Sequence, residues 1–509
     1  MKCTCRQGLE GNMTNMTNKG PAPSQRRIAV VGAGASGCMA AIAAAREGCL
    51  VDLYEKNEKI GKKIYATGNG RCNLTNLAMD RSCYHTGGRD ASGDLIGSAL
   101  ERFSVDDLLR FFAEAGVPVH DREGYVYPRT DQAETVALAL EKCMRSCGVR
   151  IHTGCEVLEI RPLEGHDQRA GMDEADGSFL LRVQQVEKPA RNPEKTKASR
   201  KKPGKSTQGQ ALRAVRREDR GEKHQEMALH PGPESLHRYD AVILGTGGLA
   251  GPAFGCSGDG YRFARSFRHS ITEPVPALTK LVCGEPLLRR AAGVRCHASI
   301  TLVDGREDVI REEGELQITE DCISGIPVFQ LSGTAARLLL DHRKLTARID
   351  FLPEFSGERY EEEVSRRLAQ DRGQMLGSLM LGLVHRKLID LVLAMDGLQA
   401  EMKAKRFTDD ELRDIFRRLR RFELAVIGTG SYDQAQVTSG GVPLAEVSPD
   451  FQSLVCPGLY LAGELLDVDG RCGGYNLQWA FSTGFLAGRA ASGRQQHISH
   501  DQQQGGLRR

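Results

Sequence analysis

The stretch Val30–Lys56, VVGAGASGCMAAIAAAREGCLVDLYEK, decides the fold because it reads as a strand, a glycine turn, a helix and a second strand. Gly32, Gly34 and Gly37 form a GxGxxG pattern directly after the apolar strand. The first glycine permits a tight turn, the second lets a pyrophosphate approach the backbone, and the third lets the helix pack on the sheet. The pattern predicts a nucleotide at the N-terminus of that helix, where backbone N–H groups face the phosphates.

The second strand ends in Glu55 and Lys56, and Glu55 follows Gly37 by 18 residues. A carboxylate at this distance accepts hydrogen bonds from the ribose hydroxyls of a dinucleotide. We therefore expect both side chains at the cofactor. The eighteen uncharged residues of Ile28–Ala45 also meet the lower length limit for a transmembrane helix. Their three glycines favour a strand plus a packed helix, and no membrane span is predicted.

The chain has 509 residues, which is enough for more than one domain, and 27% of them are charged, as is ordinary for a soluble protein. Its fifteen cysteines form no paired CxxC pattern of the kind that binds zinc, so no metal site is predicted. The first 25 residues contain no apolar signal segment. These features predict reduced thiols in a cytoplasmic protein.

The segment Glu187–Arg238 is basic, with fourteen Lys and Arg residues against seven Asp and Glu residues. Because it has few apolar residues and several prolines, it buries too little surface to offset the entropy of ordering. We therefore expect a disordered surface insertion. Lys and Arg also bind the phosphates of nucleic acids. The segment has no aromatic residue for base stacking, however, so nucleic-acid binding is the less favoured interpretation.

Two further glycine-containing segments repeat the chemistry of the first. Val242–Gly248, VILGTGG, is a buried strand followed by small residues, among them Gly247, that let a backbone pass close to a ligand. Leu459–Gly470, LYLAGELLDVDG, is a third strand that ends near Gly463 and Glu464. Neither is a second dinucleotide fingerprint. Three strand ends around one extended cofactor favour FAD over NAD.

A helix is predicted to begin at about Gly474, where its N-terminus would stabilise negative charge on a reduced flavin ring. The overall pattern predicts an α/β protein in which one nucleotide-binding domain is interrupted by an inserted domain. The expected boundaries are a disordered extension at 1–25, the nucleotide-binding domain at 26–274 and 436–495, and the inserted domain at 275–435, β-rich over 275–352 and helical over 353–435.

Five longer segments carry a family resemblance. They are GKKIYATGNGRCNLTN (Gly61–Asn76), GGLAGPAFGCSGDGYRFA (Gly247–Ala264), GELQITEDCISGIPVFQLSG (Gly314–Gly333), VTSGGVPLAEVSP (Val437–Pro449) and GLYLAGELLDVDGRCGGYNLQWAFSTGFLAG (Gly458–Gly488). Together they resemble the BaiN/YhiN-like flavoprotein family, whose members are also called aminoacetone-oxidase-like FAD-binding proteins. Apart from the basic insertion, the resemblance extends from about residue 26 to 491.

The resemblance implies a Rossmann-type FAD-binding domain of the two-dinucleotide-binding-domain type, interrupted by an inserted β-barrel-like plus helical domain. It also implies FAD contacts at the matching positions. These are Ser36 in the glycine turn, Glu55 at the ribose, Arg71 and Cys72 in the loop beside the flavin, Val157 at the adenine, and Asp467, Asn476 and Leu477 at the flavin end. One branch of the family is similar to a bile-acid reductase that reduces a C=C bond conjugated to a 3-oxo group.

The chain departs from the family pattern at three positions. Cys472 stands where a threonine is usual, Cys322 where a glycine is common, and Glu320 where many members have a histidine. If that histidine donates protons in those members, its role must shift or be absent here. These departures affect the expected substrate more than the expected cofactor.

Arg71 and Tyr127 are the candidate catalytic residues. Arg71 would either orient an anionic or carbonyl substrate or pair with the cofactor pyrophosphate. Tyr127 would donate a proton to a substrate carbon or polarise a carbonyl, although two tyrosines at the spacing of Tyr125 and Tyr127 are more often ordinary strand residues. Cys72, beside Arg71, would be an activated thiolate or, as we favour, a small side chain packed against the flavin.

The sequence thus predicts an FAD-dependent oxidoreductase that transfers hydride between flavin N5 and a small apolar substrate, such as an enone of the 3-oxo bile-acid or steroid type. NADH or NADPH is the expected electron donor, and it would dock transiently because no second fingerprint is present. Two alternatives stay open. One is an oxidase of amines or aminoketones that uses dioxygen, and the other is a flavin-containing RNA- or protein-binding protein that uses the basic insertion.

Overall fold

The computed structural model describes residues 25–87, 94–163, 178–187, 230–355 and 357–493, so the predictions for residues 1–24 and 188–229 lie outside the described residues. The strands are β1 Arg27–Val31, β2 Leu50–Glu55, β3 Thr75–Asn76, β4 Tyr84–His85, β5 Val119–Arg122, β6 Tyr125–Pro128, β7 Arg150–Thr153, β8 Cys155–Pro162, β9 Phe179–Glu187, β10 His230–Tyr239, β11 Ala241–Leu244, β12 Thr272–Ala277, β13 Leu281–Cys283, β14 Arg295–Asp304, β15 Glu307–Ile318, β16 Cys322–Ser324, β17 Leu345–Asp350, β18 Phe422–Thr429, β19 Val437–Gly441, β20 Leu459–Leu461 and β21 Asp469–Gly470. The helices are α1 Ala35–Arg46, α2 Leu95–Arg102, α3 Val105–Glu114, α4 Ala133–Ser146, α5 Asp259–Ser266, α6 Ile326–Leu340, α7 Gly357–Leu368, α8 Leu376–Met380, α9 Arg386–Met395, α10 Asp409–Arg417 and α11 Tyr475–Ala491.

A five-stranded sheet in the order β20-β11-β1-β2-β7 organises the first hydrophobic core. Every neighbouring pair in it is parallel. Its inner strands are buried along almost their whole length, as a parallel sheet with both faces covered requires. Because the central strand is followed by the glycine turn and α1, the predicted Rossmann-type α/β fold is confirmed.

Glycines let α1 pack backbone to backbone against its neighbours. A Cβ atom at Gly37 would lie 1.8 Å from the carbonyl oxygen of Gly32, and one at Gly484 of α11 would lie 2.2 Å from the carbonyl oxygen of Ser36. The stretch that met the length limit for a membrane span therefore ends in a buried helix of 12 residues. Within the described ranges, none of the helices combines the length and the apolar character that a membrane crossing requires.

A three-stranded antiparallel sheet, β10-β9-β8, begins in the chain directly after β7, the last strand on one edge of the parallel sheet. The predicted strand over 149–160 is divided at Gly154, whose φ of +65° turns the chain. The part before the turn, β7, joins the parallel sheet, and the part after it, β8, pairs with β9. The end of the basic insertion was expected to be disordered, but residues 230–238 belong to β10. Backbone hydrogen bonds to β9 order this part of the chain although it has few apolar side chains to bury.

The segment between the two halves of the first core contains a closed barrel in the order β13-β16-β15-β14-β17-β18. Helices α7 to α10 share its hydrophobic core. The part of the chain that was expected to be helical ends in a strand, β18, which closes the barrel by pairing with β13 and β17. The local spacing of apolar residues does not reveal this closure of the barrel, because the closure pairs strands that are far apart in sequence.

A buried polar cluster joins helix α6 to the chain around β19 and β21. Nη2 of Arg337 donates a hydrogen bond to Oγ of Ser439 at 2.9 Å and lies 3.5 Å from Oδ1 of Asp467. The Ser439 hydroxyl donates in turn to Oδ1 of Asp469. Asp467 and Asp469 are both almost inaccessible to solvent. In this cluster one guanidinium therefore faces two buried carboxyl groups.

One of the two carboxyl groups titrates near neutrality. Burial, which disfavours the charged carboxylate, raises the pKa of Asp469 to about 7, although the Ser439 hydroxyl and the Arg337 guanidinium favour the charge. The nearby carboxylate of Asp467 adds to the increase. The native protein thus binds a proton that the unfolded chain releases near pH 4.

This proton predicts a pH dependence of stability. Because the pKa of Asp469 is higher in the folded state, its stabilising contribution is complete below about pH 4 and is lost as the pH rises to about 7. In Asp469→Asn the amide stays neutral, so the urea concentration at the unfolding midpoint should change less with pH over this range. The variant should be no less stable than the wild type at about pH 8. Asp450→Asn, at an exposed aspartate paired with Arg102, is the control; equal flattening in both variants would contradict the assignment.

Candidate cofactor and substrate site

A cavity of about 700 Å³ opens at the carboxyl ends of the parallel strands. It is lined by residues that directly follow β1, β2 and β11, and by Glu464, shortly after β20. Ligands of open α/β sheets bind at this edge of the sheet. The volume lies within the range of about 300–1,000 Å³ that is typical of small-molecule and cofactor sites.

The glycine turn forms the middle of the cavity wall. Gly32 has a φ of +95°, and a Cβ atom there would lie 2.6 Å from the carbonyl oxygen of Gly245. At Gly34 the nearest atom to a Cβ would be the same oxygen, at 3.9 Å, which is an ordinary van der Waals distance, so this position is not crowded by the protein. Gly34 also begins α1 without a side-chain cap, and no acidic residue occupies the first turn. The arrangement leaves N–H groups and a positive helix end for a pyrophosphate.

Glu55 lies at one end of the cavity in a fixed position. Its Oε2 accepts a hydrogen bond from the backbone N–H of Ala33 at 2.9 Å. Its Oε1 accepts from the backbone N–H of Asn57 at 2.8 Å and from the side-chain amide of Asn57 at 2.6 Å. These donors orient the buried carboxylate, and Oε2 retains a lone pair for a ribose hydroxyl. Lys56, beside it, forms an ion pair with Asp259 at 2.5 Å.

An ion pair that was missed in the sequence lies near the glycine turn. Nζ of Lys63 is 2.6 Å from Oε2 of Glu464, whose Oε1 accepts a hydrogen bond from the backbone N–H of Thr438. Burial disfavours the charged ammonium, but the Glu464 carboxylate outweighs it and raises the pKa of Lys63. Lys63 therefore brings a permanent positive charge to the cavity wall. Lys63 belongs to the Gly61–Asn76 segment that carries the family resemblance, and this segment was the sequence feature that could have identified it.

The opposite end of the cavity combines donors with apolar walls. The guanidinium of Arg71 lies over the ring of Tyr127, 5.1 Å from its centroid. Nε of Arg71 donates to the carbonyl oxygen of Gly68 at 3.2 Å, which fixes the side chain. Leu278 and Phe329, on segments next to or within the barrel region, line the same cavity. These apolar residues were not identified from the sequence, because only the folded chain brings them to the site.

The cavity contains most of the predicted contact residues. Those that line it are Gly32, Gly34, Ser36, Glu55, Lys56, Arg71, Tyr127, Val157, Gly247, Glu464, Asn476 and Leu477. Asn476 and Leu477 belong to the first turn of α11, which begins at Gly474 with a φ of +96° and no side-chain cap. Glu55, which the sequence placed at the ribose, thus lies in the same cavity as Arg71, Asn476 and Leu477, which it placed near the flavin.

Four predicted contact residues lie behind the cavity wall: Gly37, Cys72, Gly463 and Asp467. Gly37 and Gly463 act through close packing, since a Cβ atom at Gly463 would lie 2.7 Å from Oγ of Ser36. Asp467 accepts a hydrogen bond from the backbone N–H of Gly87. Burial raises the pKa of the Cys72 thiol to about 12, so this thiol stays protonated at neutral pH.

The described residues fit FAD. The cavity combines an anchored carboxylate, an uncapped helix N-terminus with a nearby lysine, and hydrogen-bond donors together with apolar side chains. Oγ1 of Thr246, on the cavity wall, is buried with no hydrogen-bond partner among the described residues. Within the same ranges, no group of three or more His, Cys, Asp or Glu side chains is arranged to hold a metal ion.

Replacing the anchored carboxylate should weaken FAD binding. In Glu55→Gln the NH2 end of the amide cannot accept a hydrogen bond, so either the bond from Ala33 or those from Asn57 are lost, and the bond to the ribose is no longer charge-assisted. We expect FAD affinity to fall by about tenfold to a hundredfold, measured by fluorescence titration of the apoprotein. Glu141→Gln, at an exposed carboxylate paired with Arg145 on α4, should bind FAD like the wild type. Unchanged FAD affinity in Glu55→Gln would contradict the assignment of Glu55 to the ribose of FAD.

The chain is similar in sequence to several known proteins. The model of the HI0933-like protein Rossmann domain matches residues 26–180 and 204–490. The chain is 37% identical to a 3-dehydro-bile acid delta(4,6)-reductase of Clostridium scindens, over 92% of this chain and 99% of that protein. It is 26% identical to ribosomal RNA dihydrouridine synthases of Haemophilus influenzae and Escherichia coli, over 91% and 89% of this chain and 98% and 95% of those proteins.

These matches extend over nearly the whole chain and confirm the resemblance that the sequence motifs indicated. They also confirm the predicted FAD-binding Rossmann fold and the prediction of an FAD-dependent oxidoreductase. The chain belongs to the HI0933-like protein family.

Proposed function

We propose that this protein is an NAD(P)H-dependent reductase of a carbon–carbon double bond conjugated to a carbonyl group, acting on a small, largely apolar molecule. The observation that supports this most directly is that Arg71 and Tyr127, which contact each other, line the same cavity as the apolar side chains of Leu278 and Phe329. Cationic and phenolic donors opposite an apolar wall suit a flat substrate that carries one polar oxygen. The 37% identical relative is named for the reduction of such bonds in 3-oxo bile acids.

Conjugate reduction adds a hydride to one carbon of the double bond and a proton to the other. Between these two transfers, negative charge on the carbonyl oxygen must be stabilised. Bound FAD supplies the hydride chemistry. The guanidinium of Arg71 is a permanent cation and, in our proposal, binds the carbonyl oxygen of the substrate. Its hydrogen bond to Gly68 and its contact with the Tyr127 ring hold it in place before the substrate arrives.

Tyr127 is the proposed proton donor. It is almost buried in strand β6 and lines the cavity beside Arg71. A phenol in this position can donate its proton to a substrate carbon and regain one from solvent after product release. The apolar wall excludes water from the reacting atoms, which strengthens the electrostatic effect of Arg71.

The electron donor and the cellular location form part of the same proposal. NADH or NADPH would dock transiently, since the sequence has one dinucleotide fingerprint. All thirteen cysteines in the described ranges are free thiols. Free thiols agree with a cytoplasmic location, where reduced nicotinamide cofactors are also available.

The first experiment is an anaerobic visible spectrum of the purified protein before and after addition of NADH or NADPH. We expect bound flavin that bleaches with one of the two donors and regains its absorbance when a 3-oxo-4-ene bile acid is added. The saturated 3-oxo bile acid is the matched control and should leave the flavin bleached. Flavin that bleaches but is reoxidised rapidly by air alone would instead support the oxidase of amines or aminoketones.

Removal of the phenolic proton donor should slow turnover. We expect Tyr127→Phe to lower kcat by about a hundredfold or more, with FAD content unchanged, because the hydroxyl is lost while the ring still supports Arg71. The control is Tyr65→Phe, since Tyr65 lies in the same part of the chain but does not line the cavity. A kcat of Tyr127→Phe within twofold of the wild type would exclude proton donation by this residue.

A second candidate function is reduction of uridine in ribosomal RNA. The two 26% identical relatives are named dihydrouridine synthases, and the double bond of uracil is also conjugated to a carbonyl group. The same donors at Arg71 and Tyr127 would serve this reaction. Incubation with ribosomal RNA and NADPH, followed by mass spectrometry of the nucleosides, tests it. Dihydrouridine formation without bile-acid reduction would replace the first candidate by the second.

A further inference from the structure

A second cavity, of about 290 Å³, lies on the outer face of the barrel and is separate from the cofactor cavity. Strands β14, β15 and β17 contribute most of its lining, and Arg420, which precedes β18, completes it. Its floor contains the hydroxyl groups of Ser299 and Thr301, both largely buried. Its rim contains the guanidinium groups of Arg311, Arg348 and Arg420.

Each rim arginine is held by one partner and retains further N–H donors. Nε of Arg311 donates to Oγ of Ser299 at 2.6 Å. Nη2 of Arg348 lies 2.5 Å from Asp308, and Nε and Nη2 of Arg420 donate to Oδ2 of Asp350. A guanidinium has five N–H donors, so each of the three can also bind an oxyanion.

The charges of the lining do not cancel. Three guanidinium groups face two carboxylates, and Arg311 is positioned by a neutral hydroxyl. The acidic residues that follow Arg311 on β15 are engaged elsewhere, since Glu312 pairs with Arg471 and Glu313 with His297. No hydrogen bond among the described residues engages the Thr301 hydroxyl, which is therefore available to a ligand.

A β-bulge shapes this cavity. In the pairing of β14 with β15, Leu302 faces Ile310 while Val303 faces Asp308, so Val309 is the extra residue. A bulge bends the strand and redirects neighbouring side chains, and bulges are enriched next to binding sites. Here the bulge carries Asp308, the carboxylate that orients Arg348.

We propose that this cavity is a binding site for a phosphate group, carried by a small molecule of up to about the size of a nucleoside monophosphate. Two or three guanidinium groups would bind the phosphate oxygens in the bidentate geometry that Arg favours. The Thr301 hydroxyl would donate a further hydrogen bond from the floor. A volume of about 290 Å³ accommodates a phosphate group and part of a small molecule attached to it.

Isothermal titration calorimetry of the FAD-loaded protein tests the proposal, with inorganic phosphate and uridine 5′-monophosphate as ligands and sodium chloride added to keep the ionic strength constant. We expect saturable binding of phosphate to the wild type and an affinity loss of about tenfold or more in Arg311→Gln. Tighter binding of the nucleotide than of phosphate would identify a nucleotide as the ligand class. Equal binding would show that the site recognises the phosphate group alone.

The matched control is Arg295→Gln. Arg295 lies on the same face of β14, pairs with Glu315 and does not line the cavity, so its loss should change phosphate affinity less than twofold. Thr301→Val provides a second variant that removes only the floor hydroxyl and should also weaken binding. The absence of saturable phosphate binding in the wild type, or equal losses in Arg311→Gln and Arg295→Gln, would overturn the proposal.

Discussion

The close approach of α1 to the end of β1 is the constraint on which the cofactor site depends. At Gly37 a side chain would collide with the carbonyl oxygen of Gly32, and at Gly484 it would collide with that of Ser36. Without side chains at these positions, α1 and α11 pack directly against the turn. The uncapped N-terminus of α1 is then held at the edge of the sheet, where it can attract phosphate groups. Glu55 is tied to the same point, because its carboxylate accepts a hydrogen bond from the backbone N–H of Ala33 in the turn.

Two carboxylates of the cavity wall, one buried and one partly buried, are likewise held by several donors each. Glu55 is fixed by the glycine turn and by Asn57, and Glu464 by Lys63 and Thr438. Buried charges are costly unless they are paired, so these pairs determine how the segments meet. Outside the cavity, Asp469 differs, because burial raises its pKa to about 7 although the Ser439 hydroxyl donates to it.

The relatives indicate how one site could serve different substrates. Reduction of a 3-oxo bile acid and reduction of uridine both saturate a double bond conjugated to a carbonyl group. Both reactions need the same arrangement, namely a hydride source, a cation for the carbonyl oxygen and a proton donor. The cation and the phenol lie on the short segments around Arg71 and Tyr127, whereas Leu278 and Phe329 lie next to or within the barrel region. In the proposed reaction, chemistry and substrate selection would therefore be contributed by different parts of the chain.

The sequence alone determined the glycine turn, the acid after β2, the cofactor class and the family, because these depend on local steric and hydrogen-bonding requirements that appear as fixed spacings. Twelve of the candidate residues that it named line one cavity in the structure. Only the tertiary structure showed that Lys63 pairs with Glu464, that Cys72 and Asp467 lie behind the wall, and that β18 closes the barrel. These features join residues that are distant in the chain, and their positions follow from packing and charge pairing, which leave no periodic signal in the sequence.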